Sequence, residues 1–218
     1  MRHLLQTRVL LWATLAAMAS TLVSYPRFFL WANKNVPIEF LMASIFVCAI
    51  VLWAFVFAWH GNYTRRPVFW VKWDLKVFTA VTLVGLVSGA AWHFWLDPVL
   101  KQAMPDELPA DWQHWLAATL FSLGFSQLFL TFAPFDWWMR LCRHQKASII
   151  LTALVGVGIV ALKLDAKEVA LSSGLWVVLL TAKFIGGLLL AIFYLRGGMA
   201  LAWWWAFLIE TRHLPDFF

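Results

Sequence analysis

The sequence predicts an all-α fold: a polytopic transmembrane bundle of about seven helices, a single membrane-embedded domain over residues 1–218, with a cytoplasmic N-terminus. Three observations predict it. The first is composition, since 63% of the 218 residues are hydrophobic and 13% are charged, against about 45–50% and about 25% in soluble domains. A water-soluble domain this small cannot enclose that much apolar surface, whereas a bilayer solvates it and asks only that backbone groups bond internally, in helices or a closed barrel. The second is the length of the unbroken apolar runs, which selects helices. The third is the distribution of lysine and arginine between successive loops, which orients them.

The runs read as helices at 9–25, 38–59, 77–95, 115–135, 147–162, 175–195 and 199–209, against a membrane span of about 20 residues. The first follows basic residues and contains Ala17-Met18-Ala19 before Ser20, imitating a secretory signal; it is read as a first transmembrane helix that also directs insertion. The last is too short to cross alone and is expected to enter partway, to continue through Leu214, or to line a protein cavity. Strict alternation puts Arg2, Arg8, Arg65, Arg66, Lys72, Lys76, Arg140, Arg143, Lys146 and Arg196 on one side. The opposite loops hold Arg27, Lys34, Lys101, Lys163, Lys167 and Arg212. Positive residues are retained inside, so the ten mark the cytoplasm, and the bacterial inner membrane is the expected location. Asp97, Asp106, Glu107 and Asp111, with Pro105 and Pro109, read as an exposed external loop. The net charge of +6 is not gathered into a basic run, so it points to anionic headgroups and topology, and no nucleic-acid partner is expected. Cys48 and Cys142 belong to different depths and are not expected to pair.

Most of the sixteen tryptophans cluster at run ends, as at Trp53 and Trp59, Trp70 and Trp73, Trp92 and Trp95, Trp112 and Trp115, and Trp137 and Trp138. That is the aromatic belt at the headgroup boundary. Trp203, Trp204 and Trp205 are different: adjacent side chains point about 100° apart on a helix, so they cannot share one partner. They are expected to form a surface towards lipid or another membrane protein. Gly85 with Gly89, Ser122 with Ser126, and Gly156 with Gly158 are expected to let helices approach closely, as are Gly186 and Gly187.

Lys183 is the lysine in mid-run. A cation in hydrocarbon is costly unless paired or facing water. It falls about 12 Å from the external end of its helix at 1.5 Å per residue, a depth that Glu210 reaches on an antiparallel last helix. A structural Lys183–Glu210 pair joining the last two helices is therefore expected. Among the histidines, His93, flanked by aromatics in AAWHFW, and His60 are candidate axial ligands for a tetrapyrrole, or contacts for a quinone. Glu210 and His213 share a helical face but lack the second such set that a bundle metal site needs. No hydrolase or nucleotide-binding signature is present.

The stretch FIGGLLLAIFYLRGGMALAWWWAFLIE, residues 184–210, with Phe184, Gly187, Tyr194, Leu195, Arg196 and Gly198, resembles the closing part of the CPBP family of intramembrane proteases, which includes the CAAX prenyl endopeptidases and bacteriocin-immunity proteins. The likeness extends in segment order over about 115–210. The family carries an acidic pair and arginine on one helix, a histidine on the next, and His and Asn on the last. Here Ser126 and Gln127 stand at the acidic pair and Thr131 at the arginine, residues 147–162 hold no histidine, and Trp205 and Ile209 stand at the final His and Asn. The resemblance thus implies the bundle without the protease activity, because no carboxylates or imidazoles are left to hold a metal or activate water.

The expected function is that of a non-catalytic accessory or scaffold subunit, a degenerate relative of these proteases, whose partners are other integral membrane proteins and lipids. One alternative is a pigment-, haem- or quinone-binding subunit of an energy-converting complex, using His93 or His60. A second is a divergent intramembrane metalloprotease that recruits Glu210, His213 and His93.

Overall fold

The computed structural model describes residues 3–31, 36–69, 74–105, 108–166 and 172–217, and the regular elements among them are all helical. Six are long and apolar enough to cross a bilayer: α1 (Thr7–Leu30), α2 (Ile38–Thr64), α3 (Leu75–Ala103), α4 (Trp112–Cys142), α5 (Gln145–Ala166) and α6 (Ser173–Phe217). Arg2, Lys34, Trp70, Lys72, Trp73, Asp106, Glu107 and Lys167, all cited above for topology or for the aromatic belt, lie outside the described residues.

The helices begin where side chains can accept from their first free N–H groups. Asp74 Oδ1 accepts from Lys76 N at 3.0 Å, Asp111 Oδ1 from His114 N at 2.9 Å, and Ser172 Oγ from Leu175 N at 3.3 Å. The bonds from the His114 backbone and ring hold the Asp111 carboxyl below the usual carboxylate range, so this cap persists into mild acid. α2 and α4 end on Arg65 and Arg143 in the left-handed conformation, at φ 59° and 51°, with arginine placed at the negative end of each helix dipole.

Several helices run past their expected ends. α1 continues through Pro26, since a proline removes a single hydrogen bond from a helix that lipid otherwise stabilises. α3 runs on to Ala103 and α4 to Cys142, through Asp97 and Asp136, because both carboxylates have partners inside the bundle. The expected exposed loop at Asp97 is thereby corrected: this residue is 1% exposed.

The sixth and seventh expected helices fall in one element, interrupted at Gly198, whose φ of 70° and ψ of −167° are not helical. Contacts at the two ends of the bundle fix the direction of the chain beyond this point. Near the turn, the Arg66 guanidinium donates to the Leu195 carbonyl, at the basic end of the bundle. At the other end, Trp115 Nε1 donates to the Glu210 carbonyl at 2.7 Å, Arg212 reaches Asp97, and Lys101 Nζ lies 2.9 Å from Asp216. Residues 199–210 therefore return antiparallel to residues 173–197. Gly85 and Gly89 of α3 lie against Leu208 and Ile209 of this returning limb, and Gly187 lies against the Ala153 backbone of α5, as expected of small residues at helix contacts. Gly156 and Gly158 do not behave so: a Cβ at either would meet nothing within 4 Å, and Gly156 lines a cavity.

The core between α1, α2, α4 and α6 contains Ala17, Val56, Leu128, Phe132, Phe135 and Tyr194, while Leu22, Leu83, Val87 and Leu162 face outward. That apolar exterior is what a bilayer solvates.

The turn at residue 198 depends on glycine, because its φ/ψ region is closed to side-chain-bearing residues at about 1–3 kcal/mol. Gly198→Ala is expected to lower stability by about that amount. Gly174→Ala, where a Cβ meets nothing within 4 Å, serves as the neutral control. Unfolding in mixed detergent micelles measures both.

Candidate functional site

Three features of α4 and α6 build a cavity of about 350 Å³ inside the bundle, towards the end remote from the basic loops. α4 contains two π-helical turns, Ser122–Ser126 and Leu128–Phe132, each of which adds a residue to the turn and widens the helix; such turns often occur at functional sites. The reversal at Gly198 brings Trp205, Ile209 and Glu210 back towards Lys183 and Gly187. Thr152 and Gly156 of α5 and Arg27 of α1 complete the wall. Ser122 and Ser126, expected in a close helix contact, line this space instead.

Ion pairs fasten the outer rim. Arg212 Nε bonds both oxygens of Asp97, at 3.1 and 3.4 Å, and its Nη1 donates to the Ile209 carbonyl at 2.9 Å. The same guanidinium lies 3.7 Å from Glu210 and over the ring of Trp92. His213 Nδ1 lies 3.6 Å from Asp97.

Lys183 and Glu210 line the same cavity, as their matched depths suggest, but the expected contact is not made. Within ion-pair distance the Glu210 carboxylate meets Arg212, and Lys183 has no hydrogen-bond or ion-pair partner among the described residues. Arg212 follows the returning limb by a single turn and reaches Glu210 first. Glu210, Arg212 and Lys163 act on the ammonium only through their fields.

The tryptophan triplet is also corrected. Trp205 is 6% exposed and packs against Phe193 on the cavity wall. Trp204 stacks on Phe78 and donates to Thr82 Oγ1 at 2.9 Å. Trp203 meets Phe132 edge-on and closes a second, apolar pocket between α1 and α4. Trp203 and Trp204 are half-buried, so each keeps part of its ring open while it meets an internal neighbour.

At the basic end His60, expected as a candidate cofactor ligand, belongs to a different constellation. Its Nδ1 bonds Asp136 Oδ1 at 2.9 Å, and the Tyr194 hydroxyl donates to Asp136 Oδ2 at 3.0 Å. All three are at most 1% exposed, and the imidazole and phenol ring centroids are 4.7 Å apart. His60 is thus enclosed by protein, with its Nδ1 engaged by Asp136. Sequence reasoning singles out neither Asp136 nor Tyr194 for this role; an acidic residue beside an apolar run, in FAPFDWW, was the available signal. His93 lies in a π-helical turn of α3, edge-on to Phe94, with a buried Nδ1 that no described group hydrogen-bonds.

Among the described residues no group of three or more His, Cys, Asp or Glu side chains is placed to hold a metal ion. Glu210, His213 and His93 are not gathered into one such group. No family model, curated protein or solved structure matches the chain.

The cavity does bring together residues far apart in sequence. Ser126, Gln127, Thr131, Trp205 and Ile209, the positions that stand where the resembling family carries its catalytic motifs, all line it. A chamber with hydroxyl, amide, carboxylate and ammonium groups can hold a polar ligand.

Proposed function

We propose that this protein is a non-catalytic integral membrane subunit that acts by binding, built on a CPBP-like bundle, and that its partners are other membrane proteins and lipids. The observation that carries the reading is the convergence of Ser126, Gln127, Thr131, Trp205 and Ile209 on one cavity. A protease of the resembling kind would carry its carboxylates and imidazoles at those positions. In this reading the N-terminus is cytoplasmic in a bacterial inner membrane, by the weight of basic residues in alternate loops. Residues 199–210 then count as a seventh, partial membrane segment, tolerated because protein surrounds it.

The test is purification of the full chain in mild detergent. The expected result is a stable complex with at least one other membrane protein, no stoichiometric zinc, and no cleavage of prenylated or unmodified peptides. Metal-dependent peptide turnover by the purified chain would overturn the reading.

A second reading, a quinone- or pigment-binding subunit, is favoured by the unpartnered Nδ1 of His93. It requires a visible or near-ultraviolet cofactor band in the purified protein that His93→Leu abolishes.

A further inference from the structure

We propose that the cavity between α4, α5 and the two limbs of α6 is a binding site for an amphiphile with an anionic oxygen head, a phosphate or a carboxylate, which Lys183 contacts directly. The inference goes beyond the accessory-subunit reading and does not depend on it.

Holding the Lys183 ammonium at this depth is costly unless an anion or water compensates it. Glu210, the carboxylate that lines the same cavity, is engaged elsewhere, 3.7 Å from Arg212 Nη1. Lys183 thus lines a cavity of about 350 Å³ without a contacting anion among the described residues.

Ser126 and Gln127, on the π-helical part of α4, add hydroxyl and amide groups to the same wall. A ligand that compensates an ammonium beside hydroxyl and amide groups presents acceptor oxygens and negative charge, which a phosphate or carboxylate does.

The rest of the lining fixes the other half of the ligand. Phe121, Leu130, Leu190 and Ala206 supply apolar surface beside the polar groups, and the chamber lies at the small end of the range for ligand pockets, about 300–1,000 Å³. It has room for a head and the start of a chain.

The experiment uses delipidated full-length protein in a non-ionic detergent. Phosphatidic acid, phosphatidylglycerol, oleate, phosphatidylcholine and inorganic phosphate are each titrated, with native mass spectrometry and thermal unfolding as readouts. The expected result is one-to-one binding and stabilisation by a phosphate-headed lipid or by oleate, with phosphatidylcholine inert; which anion acts identifies the head. Lys183→Met is expected to weaken this binding roughly tenfold or more, and Lys183→Arg to retain it. Glu210→Gln is expected to strengthen binding, because it removes the opposing negative charge. That opposite sign separates an anion site from a structural Lys183–Glu210 pair, for which the two neutralising variants behave alike. Equal binding of phosphatidylcholine, unchanged affinity in Lys183→Met, or weaker binding in Glu210→Gln would overturn the proposal. So would a full effect from inorganic phosphate alone, which would assign the site to a free ion. Thermal unfolding of each variant without ligand reports whether it is folded, and Lys183→Arg keeps the test decisive if Lys183→Met is not.

Discussion

Asp136→Ala is expected to destabilise the protein by about 3–5 kcal/mol, the range for removing one partner from a buried charged network. The carboxylate is fully buried and joins three spans, since α4 contributes Asp136, α2 His60 and α6 Tyr194. Its removal leaves an imidazole nitrogen and a phenol hydroxyl in a dry interior, each with a desolvation penalty of about 1–3 kcal/mol. It also opens space beside Phe132 and Phe135, which pack on the Tyr194 ring. Tyr194→Phe keeps the ring and removes one bond, so its expected loss is smaller, about 1–2 kcal/mol. The double variant should lose less than the sum of the two, because both changes remove the same hydrogen bond. Unfolding in mixed micelles, followed by thiol-dye labelling of half-buried Cys48 in a Cys142→Ser background that removes the exposed thiol, measures all three. A loss under about 0.5 kcal/mol for Asp136→Ala, typical of surface positions, would mean that the three side chains do not act as one network.

The same residues show which features a linear chain can carry. Lipid imposes a one-dimensional rule, a long apolar run bonded within itself, and each of the six spans follows from such a run. What the rule cannot express is pairing across the bundle. Asp97 reads as a loop residue because a lone carboxylate belongs in water, and it is buried only because Arg212, 115 positions away, reaches it. Asp136 follows an expected helix end for the same reason. Lys183 and Glu210 come to one cavity, as a count of residues along two antiparallel limbs anticipates. Which anion Arg212 takes first is a matter of side-chain geometry that a depth estimate does not contain. The tryptophan triplet reads as an outer surface because hydrophobicity does not distinguish a face towards lipid from one towards a neighbouring helix.

The returning limb is anchored by Arg212, and removing this anchor has the second large expected effect. Arg212→Ala leaves the Asp97 carboxyl 1% exposed with its principal partner gone, and the loss should be about 3–5 kcal/mol. Asp97→Ala strands the guanidinium less severely, because Arg212 keeps the Ile209 carbonyl, the field of Glu210 and the face of Trp92. The pair Asp97→Asn with Arg212→Gln should be milder than Arg212→Ala, since replacing both charges removes the desolvation penalty together with the attraction. The local consequence separates this pair from the network at Asp136. Leu208, which packs on Gly85 of α3, is 7% exposed, so a cysteine introduced there should resist a water-soluble maleimide in the parent protein. In Arg212→Ala it should become reactive well below the global unfolding transition, because residues 199–210 lose the anchor at their outer end while the Asp136 network still holds the basic end. Such labelling would identify the limb as a locally opening unit. Labelling only at global unfolding would place the limb within the cooperative core and deny Arg212 its anchoring role.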